Sequence, residues 1–172
     1  AEKVIVEINT NTSIAFEGLH DIYIPTYRPT RQPIPLTKVD ERMGSTAINI
    51  DPAKIVGIVF NDTLLDSPST VTPLDDVTQG SANRLIAFFE KEVAEGRLPK
   101  NLGPLQAGIG SIANAVLTGL KDSPFEDLVM YSEVLQDCTF ELIDAGKMKF
   151  ASGCSITLSQ KYGEKVFGNI EA

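Results

Sequence analysis

Histidine and cysteine are nearly absent from this chain. His20 is its only histidine, and Cys138 and Cys154 are its only cysteines. A Ser-His-Asp triad would have to use His20, and no nucleophile-elbow pattern accompanies it. One histidine and two separated cysteines do not make a zinc site of the usual kind, so no metal is expected. The cysteines also lack C-x-x-C spacing, which suggests reduced thiols in an intracellular protein. Cys138 follows the glutamate strand described below and could be read as a nucleophile, but an ordinary buried cysteine is the commoner case. Long apolar runs are missing too: none approaches the ~18 residues that a membrane span needs. No basic, apolar, small-residue leader is visible, so no secretory signal is expected. Positive charge is scarce, with 15 Lys and Arg against 23 Asp and Glu, a net charge of −8. A dedicated nucleic-acid binder shows the opposite balance, although one basic pocket for a phosphate remains compatible with it.

What is present fits a globular chain. Of 172 residues, 42% are hydrophobic and 22% charged, enough for one sizeable domain or parts of two. Residues 3–9 and 54–60 read as buried strands rich in β-branched side chains. Between them lie Pro25, Pro29, Pro33 and Pro35, which rule out a helix or a central strand and leave an extended arm lying on a surface supplied by something else. Residues 61–76 are rich in Asp, Ser, Thr and Pro and read as a linker or crossover. A long helix follows, with Ala82, Leu85, Ile86, Phe89 and Val93 along one face and a stop at Gly96. From residue 104 the pattern alternates: strand 104–108, helix 111–118 stopping at Gly119, strand 128–133, helix 137–145 stopping at Gly146, strand 149–157, helix 159–167. This βαβαβα run implies an α/β fold with an open, mainly parallel sheet flanked by helices. Ligands of such sheets bind beyond the carboxyl ends of the strands.

Two segments lie at such ends. Gly108-Ile109-Gly110-Ser111-Ile112-Ala113 matches G-x-G-x-x-A, in which glycines admit a pyrophosphate and the helix start offers free N–H groups. The same six residues also suit a tight strand-to-helix turn with no ligand. Glu133 stands 25 positions after Gly108, at the end of the next strand. It could bind ribose hydroxyls in a dinucleotide fold, act as a nucleophile, or simply cap the next helix. Of the residues that follow, Gln136 and Asp137 could orient the glutamate or cap that helix, with Asp137 the better cap.

The residues that separate these readings are Glu95-Gly-Arg-Leu-Pro-Lys-Asn-Leu102, Leu105-Gln-Ala-Gly-Ile-Gly-Ser-Ile-Ala-Asn-Ala-Val-Leu117, Met130-Tyr-Ser-Glu-Val-Leu-Gln-Asp137 and Leu142-Ile-Asp-Ala-Gly-Lys-Met-Lys-Phe-Ala-Ser152. With Phe16–Ile22 and Gln32–Leu36, they resemble the acetyl-CoA hydrolase/transferase family, grouped with the family I CoA-transferases. The resemblance implies two open α/β domains of the CoA-transferase type. Residues 1–62 would be the tail of the first, with its proline-rich arm, and 63–172 the leading half of the second, catalytic one. It implies an acyl-CoA loop on Gly108, Ile109, Gly110, Ser111 and Ile112, and a nucleophilic glutamate at Glu133.

The implied activity is CoA transfer between acetyl-CoA or succinyl-CoA and acetate through a glutamyl-CoA thioester. Hydrolysis is the alternative if water is the acceptor. A Rossmann-type NAD(P) oxidoreductase and a non-enzymatic binding module are the readings from other classes. Coenzyme A would be substrate rather than resident cofactor. The resemblance further implies that the chain is a middle fragment, inactive alone, whose partner is the remainder of its parent polypeptide, with a homodimer possible and neither nucleic acid nor membrane involved. It implies mitochondria as the compartment in a fungus and cytoplasm otherwise.

Overall fold

The computed structural model describes residues 1–62 and 75–168. Most of the linker expected over 61–76 lies outside the described residues. The chain divides into two compact units, one containing residues 1–37 and 41–62 with 163–168, the other 38–40 and 75–162.

In the first unit, β1 (Val4–Asn9) and β2 (Ile55–Asn61) pair in parallel, from Val4↔Ile55 to Asn9↔Asn61. The β-branched runs that marked these strands set their bounds to within a residue. Parallel strands are ordinarily covered on both faces, yet Ile5, Ile58 and Phe60 are 68%, 56% and 71% exposed. The proline-rich stretch between the strands forms neither helix nor sheet beyond short 3-10 turns and one antiparallel bridge, Ile22↔Ser45. Polar bonds hold the base of this arm. The Asp21 carboxylate accepts from the N–H groups of Met43 and Gly44, and the Arg42 guanidinium donates to the carbonyls of Gly18 and His20. Its apolar residues stay open, with Ile24 65% and Tyr27 87% exposed.

The second unit opens with α1 (Asp76–Ala94). Asp75 caps it, accepting from the Thr78 N–H at 2.7 Å, and the hydrogen bonds with Thr78 hold its carboxyl below the usual range. The 3.6-residue periodicity located the buried face: Ala82 is fully buried, and Ile86, Phe89 and Val93 pack on the core. Leu85, expected on that face, is 38% exposed and lies at its edge.

The sheet of this unit has the order β3-β4-β5, all parallel, made of β3 (Pro104–Leu105), β4 (Leu128–Leu135) and β5 (Met148–Ile156). The helices α2 (Ser111–Leu120) and α3 (Asp137–Asp144) connect them, and α4 (Gln160–Gly168) follows. Leu117, Leu120, Leu128, Met130, Cys138, Leu142 and Met148 form the core between the helices and one face of β4. On the other face of β4, Tyr131 and Glu133 are exposed.

Three expectations shift here. Strand 104–108 shortens to two residues. Strand 128–133 lengthens to Leu135, so Glu133 lies inside it rather than at its end. Helix 111–118 does not stop at Gly119 but continues to Leu120. A Cβ on Gly119 would lie 2.5 Å from Ile86 Cδ1. Glycine there lets α1 and α2 approach closely rather than ending the helix.

Candidate active site

The sequence spacing between Gly108 and Glu133 acquires a physical meaning in the sheet. β3 and β4 pair with a constant offset of 25 residues, Pro104↔Val129 and Leu105↔Met130. The same offset relates Ala107 to Ser132, whose Oγ donates to the Ala107 carbonyl at 2.9 Å and accepts from the Ala107 N–H at 3.3 Å. Gly108 follows Ala107 directly in the chain, as Glu133 follows Ser132 in β4. Ser132 and Glu133 are neighbours on a pleated strand and take opposite faces: Ser132 is buried, Glu133 exposed. The Glu133 side chain has no hydrogen-bond or ion-pair partner among the described residues.

The turn itself is open. Gly108, Ile109, Gly110 and Ile112 are exposed and Ser111 is half-buried. Gly110 is the N-cap residue of α2 with φ 161°, extended backbone that any residue adopts. A Cβ added at Gly108 or Gly110 would meet nothing within 4 Å. Neither backbone strain nor crowding within the fold therefore demands glycine at these positions. The first turn of α2 presents N–H groups that no helical carbonyl can accept from, and its dipole favours negative charge there.

Gln136 and Asp137 take other roles than capping. Gln136 occupies the N-cap position of α3 without a side-chain cap bond. Its Nε2 reaches back to donate to the Gly108 carbonyl at 3.3 Å. The Asp137 carboxylate accepts from the Ser159 N–H at 2.9 Å and ties down the segment after β5. Sequence reasoning passed over Ser132 altogether. Its only signal was a polar residue at an inward position of an alternating strand.

Cys138 is no nucleophile. It is buried in the core and its thiol lies 3.6 Å from Asn114 Oδ1. Burial pushes its pKa from 9.0 up to about 11. The fold thus favours the neutral thiol, a contribution present below pH 9 and lost as pH rises from about 9 to 11. Iodoacetamide at pH 8 is expected to label exposed Cys154 and leave Cys138 unmodified until the chain is denatured, as peptide mapping would show. Among the described residues, no group of three or more His, Cys, Asp or Glu side chains is placed to hold a metal ion. No helix among them is long and apolar enough to cross a membrane.

No family model matches the chain, but curated proteins do. An acetyl-CoA hydrolase of Eremothecium gossypii is 48% identical over 169 residues, 98% of this chain and 32% of the relative. Those of Saccharomyces cerevisiae and Schizosaccharomyces pombe are 44% and 46% identical over 171 residues, 99% of this chain and 32% of each relative. The chain therefore spans about a third of the length of the curated relatives it matches. Among solved structures, RipA from Yersinia pestis overlaps 63% of this chain and 28% of its own, at 21% identity and a TM-score of 0.41. Along almost its whole length, nearly half of this chain's residues are identical to those in one part of these longer proteins named acetyl-CoA hydrolase.

Proposed function

We propose that this chain carries the reacting carboxylate and the acyl-CoA cradle of an enzyme that moves CoA between acids, or releases it by hydrolysis, through a covalent glutamyl-CoA. The observation that supports this reading is the run of contacts at an offset of 25 residues, ending at Ala107 and Ser132, which brings the segment before the Gly108 turn beside the strand that carries the exposed Glu133. The open space around Gly108 and Gly110 supports it, because a diphosphate or thioester needs that space and the fold does not. Ile109 and Ile112, 76% and 58% exposed, suit the apolar part of a CoA arm.

In this mechanism the Glu133 carboxylate attacks the thioester carbonyl of acyl-CoA, and CoA thiolate leaves to give a mixed anhydride. The thiolate then attacks the glutamyl carbonyl and releases the free acid, which leaves glutamyl-CoA. An incoming carboxylate forms a new anhydride at the glutamyl carbonyl and expels CoA thiolate. That thiolate attacks the new acyl carbonyl, giving a new acyl-CoA and restoring Glu133. Water attacking glutamyl-CoA instead gives free CoA and Glu133. N–H groups of the turn are the oxyanion donors for these steps. The relatives' name, acetyl-CoA hydrolase, favours water as acceptor, whereas a glutamyl thioester conserves the energy that transfer requires. Residues 1–62 then belong to a first domain and 63–172 to a second, catalytic one. The remainder of a longer polypeptide covers Ile5, Ile58 and Phe60 and completes the active enzyme.

Denaturing mass spectrometry of the full-length enzyme after incubation with acetyl-CoA tests this. The expected result is a CoA-sized adduct on the peptide containing Glu133. If acetate discharges it, the enzyme is a transferase; if it decays equally fast without acetate, water is the acceptor. A protein that binds acetyl-CoA and forms no adduct sinks the covalent route.

A further inference from the structure

We propose that Ser132 and Gln136 are positioning residues that lock the glycine turn against the reacting strand and hold its N–H groups at the height of Glu133. The inference rests on the reading of Glu133 as nucleophile and adds how the cradle is kept in place. Backbone pairing between β3 and β4 ends at Leu105↔Met130, and Pro104 has no N–H to give. Beyond that point side chains take over from the ladder. One buried hydroxyl, Ser132 Oγ, serves both the N–H and the C=O of Ala107. Ala107 is itself only 8% exposed, so its backbone groups have no ready substitute in solvent. One residue later the Gln136 amide takes the Gly108 carbonyl. The two clamps come from either side of Glu133 in sequence, and they grip consecutive residues of the turn.

Neither clamp is a catalytic residue, since both act on backbone that in turn faces the substrate. Misplacing an oxyanion donor by about 1 Å costs on the order of a hundredfold in rate. The loss belongs in kcat rather than KM when the lost interaction matters only in the transition state.

The test uses the full-length enzyme with Ser132→Ala, Ser132→Thr and Gln136→Met. Three quantities are read: steady-state turnover of acetyl-CoA, melting temperature, and hydrogen exchange of the Gly108–Ser111 amides without ligand. Ser132→Ala and Gln136→Met are expected to lower kcat by roughly 10- to 100-fold with little change in KM, and to speed exchange in the turn. Ser132→Thr, which keeps the hydroxyl, is expected to recover most of both. Should Ser132→Ala fail to fold, Gln136→Met decides alone, because the Gly108 carbonyl that it frees is open to water. Faster exchange with unchanged kcat overturns the proposal, and so does reduced kcat with unchanged exchange. A wild-type enzyme that forms no glutamyl-CoA fails one level higher and removes the nucleophile reading together with this one.

Discussion

On the proposed glutamyl-CoA route, Glu133→Gln in the full-length protein is expected to reduce turnover of acetyl-CoA by at least about a thousandfold while leaving the melting temperature where it was. Both halves of this outcome follow from the same geometry. An amide has nearly the shape of a carboxylate but cannot attack a thioester to form an anhydride, so the covalent route closes. The side chain is exposed and bonded to nothing among the described residues, so removing its charge takes no hydrogen bond from the fold. Parallel measurement of kcat and thermal unfolding checks both. If activity stayed within tenfold of wild type, Glu133 would be a binding group rather than a nucleophile. The dinucleotide reading of the glycine turn would then be the one to pursue, by NAD(P) titration.

The second large effect concerns stability. Leu142 lies in the last turn of α3, is fully buried, and belongs to the cluster of Leu128, Met130 and Met148. Leu142→Ala is expected to lower unfolding free energy by about 2–5 kcal/mol, the transfer term plus the cost of a cavity that packed neighbours cannot fill. Its neighbour Ile143 is 42% exposed, and Ile143→Ala is expected to cost well under half of that. Urea denaturation of the two variants gives the comparison. Equal midpoints for both would mean that α3 does not pack as described.

The α/β class and most element bounds were legible because their signals are local. β-branched runs marked β1 and β2, 3.6-residue periodicity marked α1, and strand–helix alternation marked the parallel sheet. Gly119 was misleading because the same residue type serves as a helix stop and as a point of close approach. Only the position of Ile86, 33 residues earlier on another helix, separates the two. Asp137 was misleading in a similar way. Its place at a helix start suggested a cap, but its partner is the Ser159 N–H, 22 residues later. In the candidate site, spacing singled out Glu133 and the glycine turn as candidates, and only the resemblance gave them roles. Ser132 was not singled out, and Gln136 was read as orienting the glutamate or capping a helix rather than holding the turn, because both act on backbone atoms of a distant segment, and backbone atoms leave no trace in the letters of a sequence.

The adjacency of Ser132 and Glu133 also governs how such a site can be found in other chains. The interval of 25 residues is a property of the connection through α2, and a chain with a longer or shorter crossover would carry a different interval with the same pairing. The Ser-Glu step is different, because it is fixed by the pleat: one position back or forward turns the hydroxyl to solvent and drives a carboxylate into the apolar interior. The portable signature is therefore the compact one, a serine and a glutamate on the strand next to a glycine turn and, three positions after the glutamate, a glutamine at the start of the following helix. The distance from turn to glutamate is free to drift.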